Sequence, residues 1–239
     1  MNERHAANGP CRGQKILVVD DNEYTVRILR FALEKDGLQV MSAFSGEEAV
    51  RVLETEGLPD LAIVDYQMSP GMTGFEFCRF VHQFTDLPVI MLTAVADDTL
   101  RQTGLESHVE DYILKPFNPA VLLARVHNVL QRLGGFASSP LTRVDDHLMI
   151  DFPRQVAWVN GRVVPLTPIE TKLLYVLMRQ AGQPVNTSFI LRRIWPEGTA
   201  FEDRLHVHVH RLRRKIENES APAAYIVSKR GHGYIFQAD

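Results

Sequence analysis

Cysteine is scarce: Cys11 and Cys78 are the only two in 239 residues, too few for a disulfide framework or a thiolate metal cluster. Cys11 sits in a polar leader and Cys78 in an apolar helical pattern. Long apolar runs are also missing, since none approaches the roughly 18 to 20 residues that cross a bilayer. The opening MNERHAANGPCRGQ has no apolar signal-peptide core, so the cytoplasm is the expected location. A Walker-type GxxxxGK[ST] is absent too, which argues against a nucleoside triphosphatase. What is present is 45% apolar content spread over a chain long enough for two separately cored domains.

Charge becomes informative when the chain is cut near residue 140. Residues 1 to 140 carry 12 Lys+Arg against 19 Asp+Glu, net −7, while residues 141 to 239 carry 14 against 10, net +4. An acidic half joined to a basic half implies two tasks, one of them suited to nucleic acid.

In the acidic half, short apolar runs alternate with amphipathic stretches, the pattern of a parallel sheet covered on both faces by helices. The expected strands are 15 to 20, 38 to 44, 60 to 65, 88 to 94 and 111 to 114. Helical spacing relates Val26, Leu29 and Leu33, and again Leu122, Val126, Val129 and Leu133. Five strands and five helices make a doubly wound α/β domain, in which ligands bind at the carboxyl ends of the strands where their order reverses.

QRLGGFASSPLT, residues 131 to 142, breaks the helical pattern and reads as a linker. The division expected is a leader over 1 to 14, a first domain over 15 to 133, a linker over 134 to 141 and a second domain over 142 to 239. In the second domain, Asn160-Gly161 lies between β-rich runs and signals a hairpin, because both residues tolerate positive φ. Thr167, Pro168 and Glu170 spell a capping box with proline at the first helical position. Helices are expected near 187 to 195 and from Arg204 to Glu217, followed by a terminal hairpin in YIVSKRGHGYIF. Strands, three helices and a closing hairpin describe an α+β winged helix-turn-helix.

Asp20 and Asp21 end the first strand and Asp65 the third, so the topology gathers three carboxylates at one rim. Such crowding calls for a positive partner, and a hard cation such as Mg²⁺ suits a few carboxylate oxygens plus water. Thr93 ends the fourth strand and Lys115 follows the fifth, placing a hydroxyl and an ammonium toward the same point. The set suits in-line phosphoryl transfer to a carboxylate. Each residue alone has an ordinary role as cap, β-former or solvated charge; together they favour a site.

Residues 15 to 133 resemble the receiver domain of bacterial response regulators through VVDDN, Asp65, LTA and YILKPF in order. The resemblance implies that Asp65 is the phosphoacceptor, that Asp21 and the Gln67 carbonyl hold Mg²⁺ with water-mediated support from Asp20, and that Thr93 and Lys115 bind phosphoryl oxygens. Tyr112 would be the ring that moves with the switch. The chain departs from the family in two places. Ser69 is an apparent insertion between Met68 and Pro70, and Val121 stands where the dimer face usually has a glutamate, leaving Arg101 without its customary partner. Glu106, Glu110, Asp111 and Arg125 still match that face.

In the last predicted helix, Leu205, Val209, Leu212 and Ile216 form one buried stripe. Arg204, His206, His208, His210, Arg211, Arg213, Arg214 and Lys215 are then expected to point outward, a concentration suited to phosphates and guanine edges. Lys229 and Arg230 at the glycine-rich hairpin tip suit a minor groove. Residues 141 to 239 resemble the OmpR/PhoB-type output domain through LTPIETKLL, Trp195, VHVHRLRRKI and KRGHGYIF. The resemblance implies base contact by Arg211, thymine-methyl contact by Val207, wing insertion by Arg230 and phosphate contact by Arg213 and Arg214. It also implies a surface for RNA polymerase from Pro196 to Glu202. Arg204, His206 and His210 replace residues usual in the family, which points to an altered operator. His206 and His210, one turn apart, also admit a metal reading, for which no third ligand is evident.

The expected protein is thus a two-component response regulator: phosphorylated on Asp65 by a partner histidine kinase, dimeric when active, binding double-stranded DNA and having no membrane contact. Two alternatives share its features. A phosphorylation-independent dimeric transcription factor fits the Ser69 and Val121 departures, and an Mg²⁺-dependent aspartate-nucleophile phosphatase would use similar carboxylates. Such phosphatases usually carry a second acid two residues after the nucleophile, where this chain has Gln67.

Overall fold

The computed structural model describes residues 13–94, 109–133, 136–196, 198, 201–217 and 225–237. It divides into two compact units, one drawn from residues up to Leu53, Pro59–Cys78 and Leu87–Ala137, the other from Glu54–Leu58, Arg79–Asp86 and the residues from Ser138 onward.

The first unit holds a five-stranded sheet in the order β2-β1-β3-β4-β5. The strands are β1 (Lys15–Val19), β2 (Gln39–Ala43), β3 (Leu61–Asp65), β4 (Val89–Thr93) and β5 (Asp111–Leu114), and every pairing is parallel. β3 and β4 are buried throughout, which explains why they read as unbroken apolar runs. Helices α1 (Glu23–Lys35), α2 (Gly46–Glu56), α3 (Gly74–Val81) and α4 (Pro119–Leu133) follow their strands. The remaining helix expected before β5 lies outside the described residues.

One core is built where Val26, Leu29 and Leu33 of α1 and Leu122, Val126 and Val129 of α4 meet Ile16, Val18, Ile63 and Ile90 of the sheet. Each such side chain stabilises the fold by roughly 1.5–3 kcal/mol. The strand order reverses between β1 and β3, because β1 has β2 on its other side. The carboxyl ends of these two strands therefore flank the crevice of the sheet. Chain direction is set just beyond β1, where Asn22 caps α1 by accepting from Tyr24 N at 2.9 Å and Thr25 N at 3.3 Å.

In the second unit, β6 (Thr142–Arg143), β7 (Leu148–Asp151), β8 (Val156–Val159) and β9 (Arg162–Pro165) form an antiparallel sheet. Asn160 at φ 51° and Gly161 at φ 76° make the expected hairpin turn. Helices α5 (Pro168–Met178), α6 (Thr187–Ile194) and α7 (Glu202–Ile216) precede the hairpin of β10 (Ile226–Lys229) and β11 (Gly233–Phe236). The capping box at Thr167 and Glu170 is formed, and Leu205, Val209, Leu212 and Ile216 are the buried residues of α7.

α7 begins two residues earlier than the Arg204 start expected from sequence, with Phe201 at its cap and Glu202 and Asp203 in its first turn. The missing side-chain cap hid the boundary, while the two acids favour the helix dipole there. No helix among the described residues is long and apolar enough to cross a membrane.

Candidate phosphoryl-transfer site and nucleic-acid interface

At the carboxyl ends of β1 and β3, Asp20, Asp21 and Asp65 each bring a carboxylate oxygen to within 4.8 Å of the others. Asp20 is fully buried and Asp65 nearly so. Lys115, just past β5, reaches across the rim, its Nζ lying 2.7 Å from Asp20 Oδ2 and 3.0 Å from Asp65 Oδ2. Its main-chain N–H donates to the Thr93 carbonyl at 2.7 Å, which joins the end of β4 to the residue just past β5. Thr93 is itself buried.

One ammonium, paired with Asp20 and Asp65, set among three carboxylates leaves an electrostatic imbalance. Burial pushes the Asp65 carboxyl up from its ordinary range, and the Lys115 hydrogen bond and charge only partly pull it back. Burial also opposes the Lys115 charge, but hydrogen bonds to Asp20 and Asp65 outweigh it and hold the ammonium above its usual value. The pocket therefore favours additional positive charge. Its donors are all oxygens, two of the three acids are buried, and their atoms are close enough to share one ion, a set that fits Mg²⁺.

The loop after β3 is anchored at several points. Gly74 opens α3 against the Asp65 carbonyl, where an added Cβ would lie only 1.9 Å from that oxygen. Ser69, the apparent insertion, donates its main-chain N–H to Asp21 Oδ2 at 3.1 Å. Met72 N donates to Glu47 Oε1 of α2 at 2.8 Å. Gln67 is exposed in this loop, and Tyr112 is half-buried on β5. Sequence reasoning missed Glu47 and Gly74. A glycine opening a helix was a visible signal, whereas nothing near Glu47 in sequence indicated a partner 25 residues away.

Of the expected dimer face, Arg101 and Glu106 lie outside the described residues. Asp111 pairs with Arg125 at 2.6 Å and Glu110 with Arg132 at 2.7 Å, while Val121 is 50% exposed beside them on α4.

On α7, Arg204, His206, Val207, His210, Arg211 and Arg214 are exposed. Arg204 lies over the Trp195 ring at 5.1 Å. His206 Nδ1 and Tyr234 Oη share a hydrogen bond of 2.6 Å, joining the helix to β11. Lys229 and Arg230 are exposed at the hairpin turn, where with Ser188, His206, His232 and Tyr234 they line a groove of about 380 Å³.

Three side chains expected to point outward have internal partners instead. Arg213 is half-buried, donating Nε to the Ile226 carbonyl at 2.8 Å and Nη2 to Ser228 Oγ at 2.9 Å. Lys215 donates to Glu170 Oε2 at 2.7 Å and to the Pro165 carbonyl at 2.9 Å. His208 packs its ring 5.5 Å from that of Trp195, and burial, then the charges of Arg211 and Arg204, hold its pKa below the ordinary value. The helix stripe alone could not reveal this, because these partners come from the wing, from α5 and its approach, and from the end of α6. Among the described residues, the acidic trio alone gathers three His, Cys, Asp or Glu side chains closely enough for an ion. The paired-histidine metal reading gains no third ligand.

Residues 16–127 match the family described as "Response regulator receiver domain", and residues 161–236 match "Transcriptional regulatory protein, C terminal". A "Probable transcriptional regulator ycf27" of Porphyridium aerugineum is 38% identical over 232 residues, covering 94% of this chain and 96% of the relative. The "DNA-binding response regulator MtrA" of Mycolicibacterium paratuberculosis is 36% identical, covering 92% and 97% of the two chains. The crystal structure of the response regulator DrrB, an OmpR/PhoB homolog of Thermotoga maritima, aligns with 94% of this chain and 99% of its own at 30% identity and a TM-score of 0.45. With an acidic rim on a five-stranded parallel sheet, a basic winged helix later in the sequence and relatives matching along nearly the whole length, this chain belongs to the OmpR/PhoB-type response regulators, which regulate transcription by binding DNA.

Proposed function

We propose that Asp65 accepts a phosphoryl group from the phosphohistidine of a sensor kinase, and that the modified protein dimerises and binds DNA more tightly. The observation that carries this reading is the shared contact of Lys115 with Asp20 and Asp65 inside the trio of carboxylates. Asp20, Asp21, Asp65 and the Gln67 carbonyl would hold Mg²⁺, which supplies charge neutralisation for the incoming phosphoryl group. A carboxylate oxygen of Asp65 forms the new bond to phosphorus as the phosphorus–nitrogen bond to the kinase histidine breaks. Lys115 and the Thr93 hydroxyl stabilise the phosphoryl oxygens, and water later releases inorganic phosphate. The only chemistry assigned to the chain is thus on itself.

In this reading residues 15–133 form the receiver and 142–239 the DNA-binding domain, and the protein works in the cytoplasm. Thr93 and Tyr112 relay the modification to the face containing Arg101, Glu106, Glu110, Asp111 and Arg125, where two copies meet. Dimerisation tethers two basic heads and raises their effective concentration on DNA. Arg204, His206, Val207, His210 and Arg211 face base edges. Arg214 meets phosphates, Lys229 and Arg230 approach the minor groove, and Arg213 holds the wing. RNA polymerase would be met by the turn from Pro196 to Glu202, of which residues 197, 199 and 200 lie outside the described residues.

Intact mass after incubation with acetyl phosphate and Mg²⁺ tests the chemistry. Wild type is expected to gain about 80 Da, the mass of one phosphoryl group, and Asp65→Ala to gain nothing. A folded wild type without the adduct would leave a phosphorylation-independent dimeric regulator as the reading.

Salt-dependent affinity for a mixed-sequence duplex tests the DNA surface. Arg214→Ala is expected to reduce the slope of log K against log salt by about one unit, the loss of one phosphate contact. An unchanged slope removes Arg214 from the interface.

A further inference from the structure

We infer that Glu47 is a positioning residue for the phosphoryl-transfer site, holding the loop that carries Gln67; this rests on the reading that the Asp65 pocket takes Mg²⁺ with the Gln67 carbonyl among its ligands. The loop leaves Asp65 at the end of β3 and returns at Gly74, which is pressed against the Asp65 carbonyl. Between these fixed ends it leans on the start of α2. There Met72 N donates to Glu47 Oε1 at 2.8 Å.

Two glycines make the close approach possible. Gly71 has φ +110°, and a Cβ on it would come within 2.8 Å of Glu47 Oε1; a Cβ on Gly46 would come within 2.7 Å of the Met72 side chain. Gly46 thus admits Met72, and Gly71 admits Glu47. On the pocket side, the same loop is tied to Asp21 through Ser69 N. The segment containing Gln67 is therefore held between an acid of the pocket and an acid outside it.

The Glu47 carboxylate spans helix start and loop, interacting with its own main-chain N–H and with Ser45 as well as with Met72 N. The start of α2 has further support of its own, since Ser45 accepts from Glu48 N at 3.1 Å and Glu48 accepts from Phe44 N at 2.7 Å. Outer residues that orient a ligand-bearing segment commonly alter metal affinity tenfold or more, and an exposed clamp acts at the lower end of that scale.

The test is the rate of full-length protein phosphorylation by acetyl phosphate as Mg²⁺ is varied. Glu47→Ala is expected to raise the Mg²⁺ concentration for half-maximal rate about ten-fold, with the saturating rate within about two-fold of wild type. Glu47→Gln is expected to behave like wild type, because its amide oxygen still accepts from Met72 N. The rise in melting temperature on adding Mg²⁺ should shrink in Glu47→Ala by the same ordering, which keeps the inference open to refutation should that variant phosphorylate poorly. An unchanged half-maximal concentration in Glu47→Ala overturns the inference, as does a Glu47→Gln variant equally impaired. Failure of wild type itself to take the phosphoryl group would instead sink the phosphorylation reading.

Discussion

Lys115→Ala is expected to slow phosphorylation of Asp65 by acetyl phosphate at least about 100-fold, the usual consequence of deleting a preorganised charge beside a transferring group. The ammonium lies 3.0 Å from Asp65 Oδ2, within reach of phosphoryl oxygens bound to that carboxylate. The same change removes the partner of Asp20, whose side chain is fully buried and whose Oδ2 sits 2.7 Å from Nζ. A buried carboxylate deprived of its cation is costly, and here two other carboxylates crowd it.

The Mg²⁺-free variant is therefore expected to lose about 3 kcal/mol of stability, and a larger share should return on adding Mg²⁺ than wild type gains. Quenched-flow mass measurements and thermal melts with and without Mg²⁺ read both effects. Wild-type kinetics in the variant would mean that Lys115 serves only the fold.

The second large effect is expected from one added methyl group. In Gly74→Ala, the new Cβ would lie 1.9 Å from the Asp65 carbonyl oxygen and 2.8 Å from Val64 Cγ1. The first obstacle is main chain in the middle of the sheet and cannot swing aside. Relief requires the first turn of α3 to lift away from β3, at a cost of about 3 kcal/mol. Its first turn carries the Thr73–Glu76 cap, in which Thr73 N donates to Glu76 Oε2 at 2.9 Å, so the loop shifts with it.

Phosphorylation should then fall well below wild type even where the protein remains folded, since the carboxylate proposed to react belongs to the residue being pushed. Denaturant melts and the mass assay, run on the same sample, separate the two losses. A variant as stable and as readily phosphorylated as wild type would show that the helix start is free to relax.

Much of this architecture was legible because local and long-range demands coincide. LAIVD reads as an unbroken apolar strand and is buried at every position. Asn160-Gly161 and the Thr167–Glu170 box announce their turn and cap within four residues. The Leu205 stripe is a helix periodicity that the core satisfies in full. The acidic rim was legible for a topological reason, since strand ends in a doubly wound sheet converge whatever the loops do.

What escaped lies in contacts between segments distant in sequence. Arg213, Lys215 and His208 resemble solvated charges until the wing, α5 and Trp195 are placed beside them. Glu47 resembles any acid in a first helical turn. β6, only two residues long, has too little pattern to be seen before β7 pairs with it.

The bonds from Arg213 to Ile226 and Ser228, with that from His206 to Tyr234, make helix and hairpin two jaws of one rigid caliper. A caliper measures distance. In the proposed docking, with α7 in the major groove and the hairpin tip in the minor groove, an operator would have to present both at a set separation, and displacement by one base pair, about 3.4 Å along the axis, would forfeit one jaw's grip. Geometry of the duplex, as well as the letters in it, becomes part of what this protein reads.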